Sequence, residues 1–148
     1  MNKKFMFSML MLLGIWASSQ DTLNVGGKEQ FIGRWEGQGN FYNVNFSIEH
    51  GSVEIDLRID DALNISGSVG SAQISGAELT VDDWNDGYKI EAKVEGRMFP
   101  GKSFEKDYVV FLLKEPEGGV IQGDFHVKSN LIFDFTMRPG AISLRKNP

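Results

Sequence analysis

Few residues of this sequence have the type and spacing that catalysis requires. The 148-residue chain contains two histidines, His50 and His126, and no cysteine. The lack of cysteine excludes a thiol nucleophile, disulfide bonds and cysteinyl metal sites. His50 lies in an expected turn and His126 on the outward face of an expected strand, so neither is placed beside a serine as a nucleophilic site requires. The sequence therefore predicts a protein that is not an enzyme.

Two groups of acidic residues have some of the features of a metal site. The stretch Asp82–Gly87 superficially resembles a calcium loop, but Trp84 stands where such a loop needs an oxygen ligand and no glutamate follows at the required distance. His126, Asp124 and Asp134 could share one outer surface of the protein. A solvated polar face explains such a set better, because metal sites need a fixed ligand number and supporting hydrogen bonds. We expect neither a metal nor another cofactor.

Residues 1–19 have the pattern of a signal peptide. Asn2–Lys4 is a short basic region, and Phe5–Ala17 is an apolar run that is too short to span a bilayer comfortably. We expect cleavage after Ser19, which leaves 20–148 as a single secreted or periplasmic domain without an integral membrane span. An uncleaved membrane anchor is the alternative. Because no cysteine follows the apolar run, a lipoprotein is not expected.

The charge balance makes some partners unfavourable. The chain has 15 lysines and arginines against 20 aspartates and glutamates, with a net charge of −5 at pH 7. No basic stripe is present, and removal of residues 1–19 would make the charge more negative. Nucleic acids and anionic membrane surfaces are therefore not expected as partners.

Alternation of apolar and polar residues with a period of two runs through most of the chain. Val53, Ile55, Leu57 and Ile59, for example, alternate with charged residues, which predicts an antiparallel strand with one buried face. About ten such short strands follow one another at a spacing typical of a β-sandwich or β-barrel. No convincing helical periodicity follows the signal peptide, apart from one turn near Gly27–Gln30. The sequence therefore predicts an all-β fold.

Tight turns between the strands favour one architecture. Neighbouring strands should pair in sequence order, and such a meander protects its edges most simply by closing on itself. We expect an antiparallel up-and-down β-barrel of about 8–10 strands. Gly76 should bend or bulge its strand, and Pro139–Gly140 should form a turn before a last strand over Ala141–Lys146. Asp107–Lys114 is apolar on both faces, so its outer face needs a cover.

Particular residues extend this expectation to a family. The first strand begins with FIGRW, in which Gly33 and Trp35 resemble the Gly-x-Trp signature that opens the barrel of lipocalins and related calycins. Asp107–Tyr108 before an apolar strand resembles the second motif of that family. The resemblance implies that Trp35 plugs the closed end and that an arginine of the last strand packs across it. Arg145 matches by position, and Arg138 is the alternative.

The expected interior is lipophilic, because the inward positions bring bulk and almost no polarity. The candidate ligand-binding residues of the interior and the barrel mouth are Phe46, Leu57, Ile90, Met98, Phe99, Phe125, Phe133 and Phe135. The longest connection, Gly96–Lys106, contains two of them, and it is either a flap or docking loop at the mouth or a cap folded over a barrel end.

Two main functions remain open from the sequence, beside a third, a non-catalytic barrel related to domains that accompany envelope enzymes. A small barrel either holds one small ligand or is filled by its own side chains. The first alternative predicts a non-catalytic, extracytoplasmic binding or carrier protein for a small hydrophobic molecule. The second predicts an interaction module whose loops bind another protein or a surface polymer.

Overall fold

The described residues of the computed structural model are 25–42, 51–98, 108–128 and 138–148, and they form one short helix and eight strands. The helix coincides with the single helical turn that the sequence predicts. The elements are α1 (Val25–Glu29), β1 (Gly33–Phe41), β2 (Ser52–Ile59), β3 (Ile65–Val69), β4 (Ala72–Asp82), β5 (Gly87–Glu95), β6 (Tyr108–Leu113), β7 (Val120–Lys128) and β8 (Arg138–Asn147). No helix among these residues is long and apolar enough to cross a membrane.

The strands form one closed antiparallel barrel. Each strand pairs with its neighbours in sequence order, and β1 closes the barrel by pairing with β8, so that Trp35 lies opposite Lys146. Closure removes the two unpaired edges that an open meander would expose. The predicted all-β up-and-down barrel is confirmed, with eight strands.

Period-two alternation creates the core. In β2 the inward residues Val53, Ile55, Leu57 and Ile59 are all buried, whereas the residues between them are exposed or half-buried. Because successive side chains of a strand point to opposite faces, this pattern turns one face of the sheet into the barrel interior. The other strands repeat it and together enclose one continuous hydrophobic core.

The expected irregularity in β4 is present. Gly76 has a φ of +57°, and the register between β4 and β5 shifts between Ser75 and Glu78. A positive φ is accessible to glycine without a steric penalty, which permits the bulge at this position.

The expected turn at Pro139–Gly140 is wrong, because β8 runs without interruption through both residues. Gly140 pairs with Phe125 of β7 on one side and with Phe41 of β1 on the other. A side chain on Gly140 would collide with the carbonyl oxygen of Asn40 and with the Phe125 ring. The glycine is therefore required by close packing within a strand. Alternation also predicts strands over Tyr42–Ile48 and Leu131–Arg138, and nearly all of these residues lie outside those described.

The two ends of the barrel differ in their connections. In a meander, successive connections alternate between the ends. We call one end the Trp35 end; it holds α1 and the connections 60–64, 83–86 and 114–119. We call the other the Met98 end; it holds the turn between β3 and β4 and the last residues of β1, β5 and β7. This polarity decides where a ligand could enter.

Candidate binding site in the barrel interior

The Trp35 end is closed by an aromatic plug that contains a buried hydrogen bond. Trp35 is 1% exposed, and its Nε1–H donates to the carbonyl oxygen of Phe31 over 2.7 Å. The Phe31 ring packs edge-on against Tyr88, with the ring centroids 4.8 Å apart. A buried indole N–H needs an acceptor, and Phe31 supplies it while filling space. This end of the interior is occupied by the protein's own side chains.

The cation that covers Trp35 is Lys146 and not Arg145. The register of β1 and β8 places Arg145 opposite Glu36, on the exposed outer face. The Nζ atom of Lys146 lies 5.4 Å from the centroid of the Trp35 ring. Gly33 has a φ of +135°, and a Cβ there would lie 2.7 Å from Cε of Lys146. Glycine at position 33 therefore allows the positive φ and leaves room for the Lys146 side chain.

Aromatic rings fill the interior around Phe125. The Phe125 ring lies 5.0 Å from Phe41 and 6.5 Å from Phe111, measured between ring centroids. Its edge rests on two glycines, since a Cβ on Gly39 would lie 2.5 Å from Cε1 and a Cβ on Gly140 2.6 Å from the same atom. Glycine at these inward positions does not create a cavity, because the ring opposite takes up the space.

The buried side chains described at the Met98 end are apolar. Met98 is 5% exposed, and its carbonyl oxygen accepts the N–H of Ser71 over 3.2 Å, which ties the chain after β5 to the turn between β3 and β4. The apolar residues that surround this end of the interior are Val53, Val69, Val94, Val109 and Val127.

Four of the eight predicted ligand-binding residues can be located. Leu57, Ile90 and Phe125 are each at most 1% exposed, and Met98 joins them in the hydrophobic core. The inward orientation of Leu57, Ile90 and Phe125 agrees with the alternation from which they were selected, while contact of all four residues with a ligand stays a prediction. The other four, Phe46, Phe99, Phe133 and Phe135, lie outside the residues described.

Sequence analysis did not select three aromatic residues that help to fill the interior. Phe31 precedes the first strand, and Phe111 belongs to the strand that is apolar on both faces. Alternation places Tyr88 inward, but it does not reveal that the ring meets Phe31. Burial and the nearby charge of Glu115 raise the pKa of Tyr88, whose hydroxyl donates to that carboxylate over 3.3 Å.

Polar side chains cover the outer face of β6. Val110 faces outward, yet it is only 4% exposed. Glu91 and His126 lie beside it on the neighbouring strands, and Lys128 Nζ reaches Glu91 Oε1 across β6 over 2.9 Å. The hydrogen bond from Lys128 lowers the pKa of Glu91, and burial lowers the pKa of His126. The predicted need for a cover is met by this bridge of charged side chains.

Asp134, a member of one candidate metal grouping, lies outside the residues described, and the stretch Asp82–Gly87 forms no ligand set in the part of the chain that is described. No group of three or more histidine, aspartate or glutamate side chains there could hold a metal ion. Asp82 is engaged within its own turn by Trp84 and Asn85, and Asp124 accepts a hydrogen bond from Tyr42. The inward side chains that are described pack together in one hydrophobic core.

Comparison with protein-family models, with curated proteins and with solved structures finds no match. The class of protein therefore follows from the structure alone. The chain forms an eight-stranded, closed antiparallel barrel of a kind consistent with a calycin-like fold.

Proposed function

We propose that this protein is a lipocalin-like, non-catalytic binding or carrier protein for a small hydrophobic molecule, which enters at the Met98 end. The observation that carries the proposal is the difference between the two ends. The Trp35 end is plugged by rings, with the ammonium of Lys146 over the indole, whereas the buried side chains described at the Met98 end, the Phe41 ring among them, are apolar. A concave apolar surface with few polar groups is typical of small-molecule sites.

The ligand that fits this wall is apolar and short. Affinity should grow by about 0.8 kcal/mol for each methylene group that leaves water. The rings of Phe41 and Phe125 already occupy space near the Met98 end, so the gain should stop after a short chain. A charged headgroup would remain at the mouth, because moving an unpaired charge from water into an apolar interior is costly.

A chain-length series tests the proposal. Displacement of a hydrophobic fluorescent probe by straight-chain alcohols should strengthen with length and then level off. Met98→Ala should weaken this binding, while Ile59→Ala, a comparable truncation at the Trp35 end, should not. Both changes should reduce the free energy of unfolding by about 2–5 kcal/mol. The two variants therefore control for the effect of lost stability on affinity. Equal effects of the two variants on affinity would contradict the proposed position of the site.

A filled barrel that binds other proteins is the second candidate, and the packing of Phe125 favours it. Native mass spectrometry of protein purified from its own cells separates the two. A stoichiometric lipid-like adduct supports the carrier function. A bare protein that also fails to enhance the probe supports the interaction module.

We also propose that residues 1–19 direct export to the periplasm or the exterior. The basic region, the apolar run and the small residues that follow it support the proposal. The intact mass of the protein from its own cells should then correspond to a chain that starts at Gln20. A mass that retains the apolar run would favour the membrane anchor.

A further inference from the structure

The turn between β4 and β5 presents a tryptophan to solvent. Trp84 is 97% exposed, and Val81 of the same hairpin is 39% exposed. These are two of the three large apolar residues that are exposed in the described part of the chain. The third, Tyr42, is 62% exposed, but its hydroxyl donates to Asp124. Tryptophan is mostly buried in soluble proteins, so this degree of exposure calls for a physical reason.

The turn is held in one conformation by its own hydrogen bonds. The side chain of Asp82 accepts from the Trp84 N–H over 3.3 Å and from the Asn85 amide over 2.5 Å. The Asn85 N–H also donates to the carbonyl oxygen of Asp82 over 3.2 Å. A fixed turn lowers the entropy that the indole loses on binding, because the backbone that carries it is already ordered.

The surroundings of Trp84 are acidic. A concavity of about 700 Å³ beside the turn is lined by Asp82, Asp83, Asp86 and Glu115, and Lys114 is the one base among its described lining residues. Negative charge repels anionic lipids and attracts basic groups. An indole face attracts cations directly, and arginine most often. The chemistry of the turn is therefore complementary to a basic protein surface.

We propose that the turn between β4 and β5 docks a basic protein partner, whose arginine or lysine stacks on the Trp84 indole while further basic residues pair with Asp83 and Asp86. Tryptophan and arginine are over-represented among the residues that dominate protein interfaces. The surface lies at the Trp35 end, so it is separate from the ligand entry proposed above. The barrel would then receive its small molecule at one end and its partner at the other.

The test uses a labelled peptide of alternating arginine and leucine, with a matched glutamate and leucine peptide as control. Fluorescence anisotropy at low salt should show binding of the arginine peptide only. Trp84→Ala should weaken this binding by about tenfold. Tyr42→Ala should not, although it also removes an exposed ring beside a carboxylate. Asp83→Asn with Asp86→Asn should weaken binding and reduce its dependence on salt.

The outcomes separate the alternatives. Urea unfolding should leave Trp84→Ala as stable as the parent protein, because the side chain it removes has almost no contacts to lose. Absence of binding, equal binding by Trp84→Ala, or equal binding of the glutamate peptide would overturn the proposal. Trp84-dependent binding to phosphatidylcholine vesicles without binding to the peptide would overturn it in favour of a membrane surface.

Discussion

Gly39→Ala tests whether the barrel is filled at the level of Phe125. A Cβ on Gly39 would lie 2.5 Å from Cε1 and 2.6 Å from Cζ of Phe125, and 3.1 Å from Cδ1 of Ile55. Unstrained carbon atoms do not approach so closely, so the ring must move. Phe41 and Phe111 border the ring on its other sides. In a filled interior, the Phe125 ring therefore cannot move away from the new methyl group without disturbing its neighbours.

The magnitude follows from two opposing terms. Overpacking of a core costs about 1–3 kcal/mol. Alanine in place of glycine within a strand stabilises the folded state by about 0.5–1 kcal/mol, because alanine loses less conformational freedom on folding. We expect Gly39→Ala to lower the free energy of unfolding by about 1–2 kcal/mol. In a Phe125→Leu background only the favourable term of about 0.5–1 kcal/mol should remain, because the ring atoms that the new methyl group meets are gone. The coupling between the two positions should then be about 1–3 kcal/mol, the size found for residues in contact.

Urea unfolding of the parent, both single variants and the double variant measures this coupling. Gly123→Ala is the matched control, because a side chain there would meet the backbone carbonyl oxygen of Leu112. Its cost should be the same with phenylalanine or leucine at position 125. The reasoning is refuted when Gly39→Ala costs equally much in both backgrounds, or costs nothing in the parent. The second result would mean that free space adjoins the ring and that the barrel is hollow there.

Two further predictions concern charged side chains. Lys146→Ala should lower the free energy of unfolding by about 0.5–1 kcal/mol, because it removes the ammonium group that covers the Trp35 indole. Lys146→Arg should retain most of that stability. Arg145→Ala should change the free energy of unfolding by less than about 0.5 kcal/mol in urea titrations. Equal losses for Lys146→Ala and Arg145→Ala would argue against the register of β1 and β8. Burial and Lys128 lower the pKa of His126 while Glu91 raises it, with burial the largest effect. The folded state therefore binds fewer protons than the unfolded state, and stability should fall as the pH drops from 7 through the ordinary histidine value of about 6.5. Thermal unfolding of His126→Asn should lack this part of the pH dependence, and an unchanged profile would contradict the assignment.

The sequence alone was sufficient to predict which residues face inward in the strands that alternate strictly. In β2 and β5 the inward residues, Leu57 and Ile90 among them, follow from period two alone. The bulge at Gly76 was also predictable, because a glycine inside an alternating strand weakens the regular ladder. The facing of these strands and the bulge depend on the order of neighbouring residues, which a single sequence contains.

Features that depend on contacts between distant strands were not predictable. The choice between Arg145 and Lys146 depends on the register of β1 against β8, and a shift of one residue moves every side chain to the other face. The turn expected at Pro139–Gly140 follows local turn chemistry, whereas the structure uses Gly140 to admit the Phe125 ring. The bridge of charged side chains over Val110 likewise required knowledge of which strands flank β6.

The inward glycines limit where a ligand can lie. An inward glycine usually widens a barrel, yet Gly37 admits the backbone of β8, since a side chain there would meet the carbonyl oxygen of Ser143. Gly39 and Gly140 admit the Phe125 ring. None of the three leaves space for another molecule. A ligand of the proposed function should therefore lie beside the rings of Phe41 and Phe125 near the Met98 end, and we expect its site to be shallow.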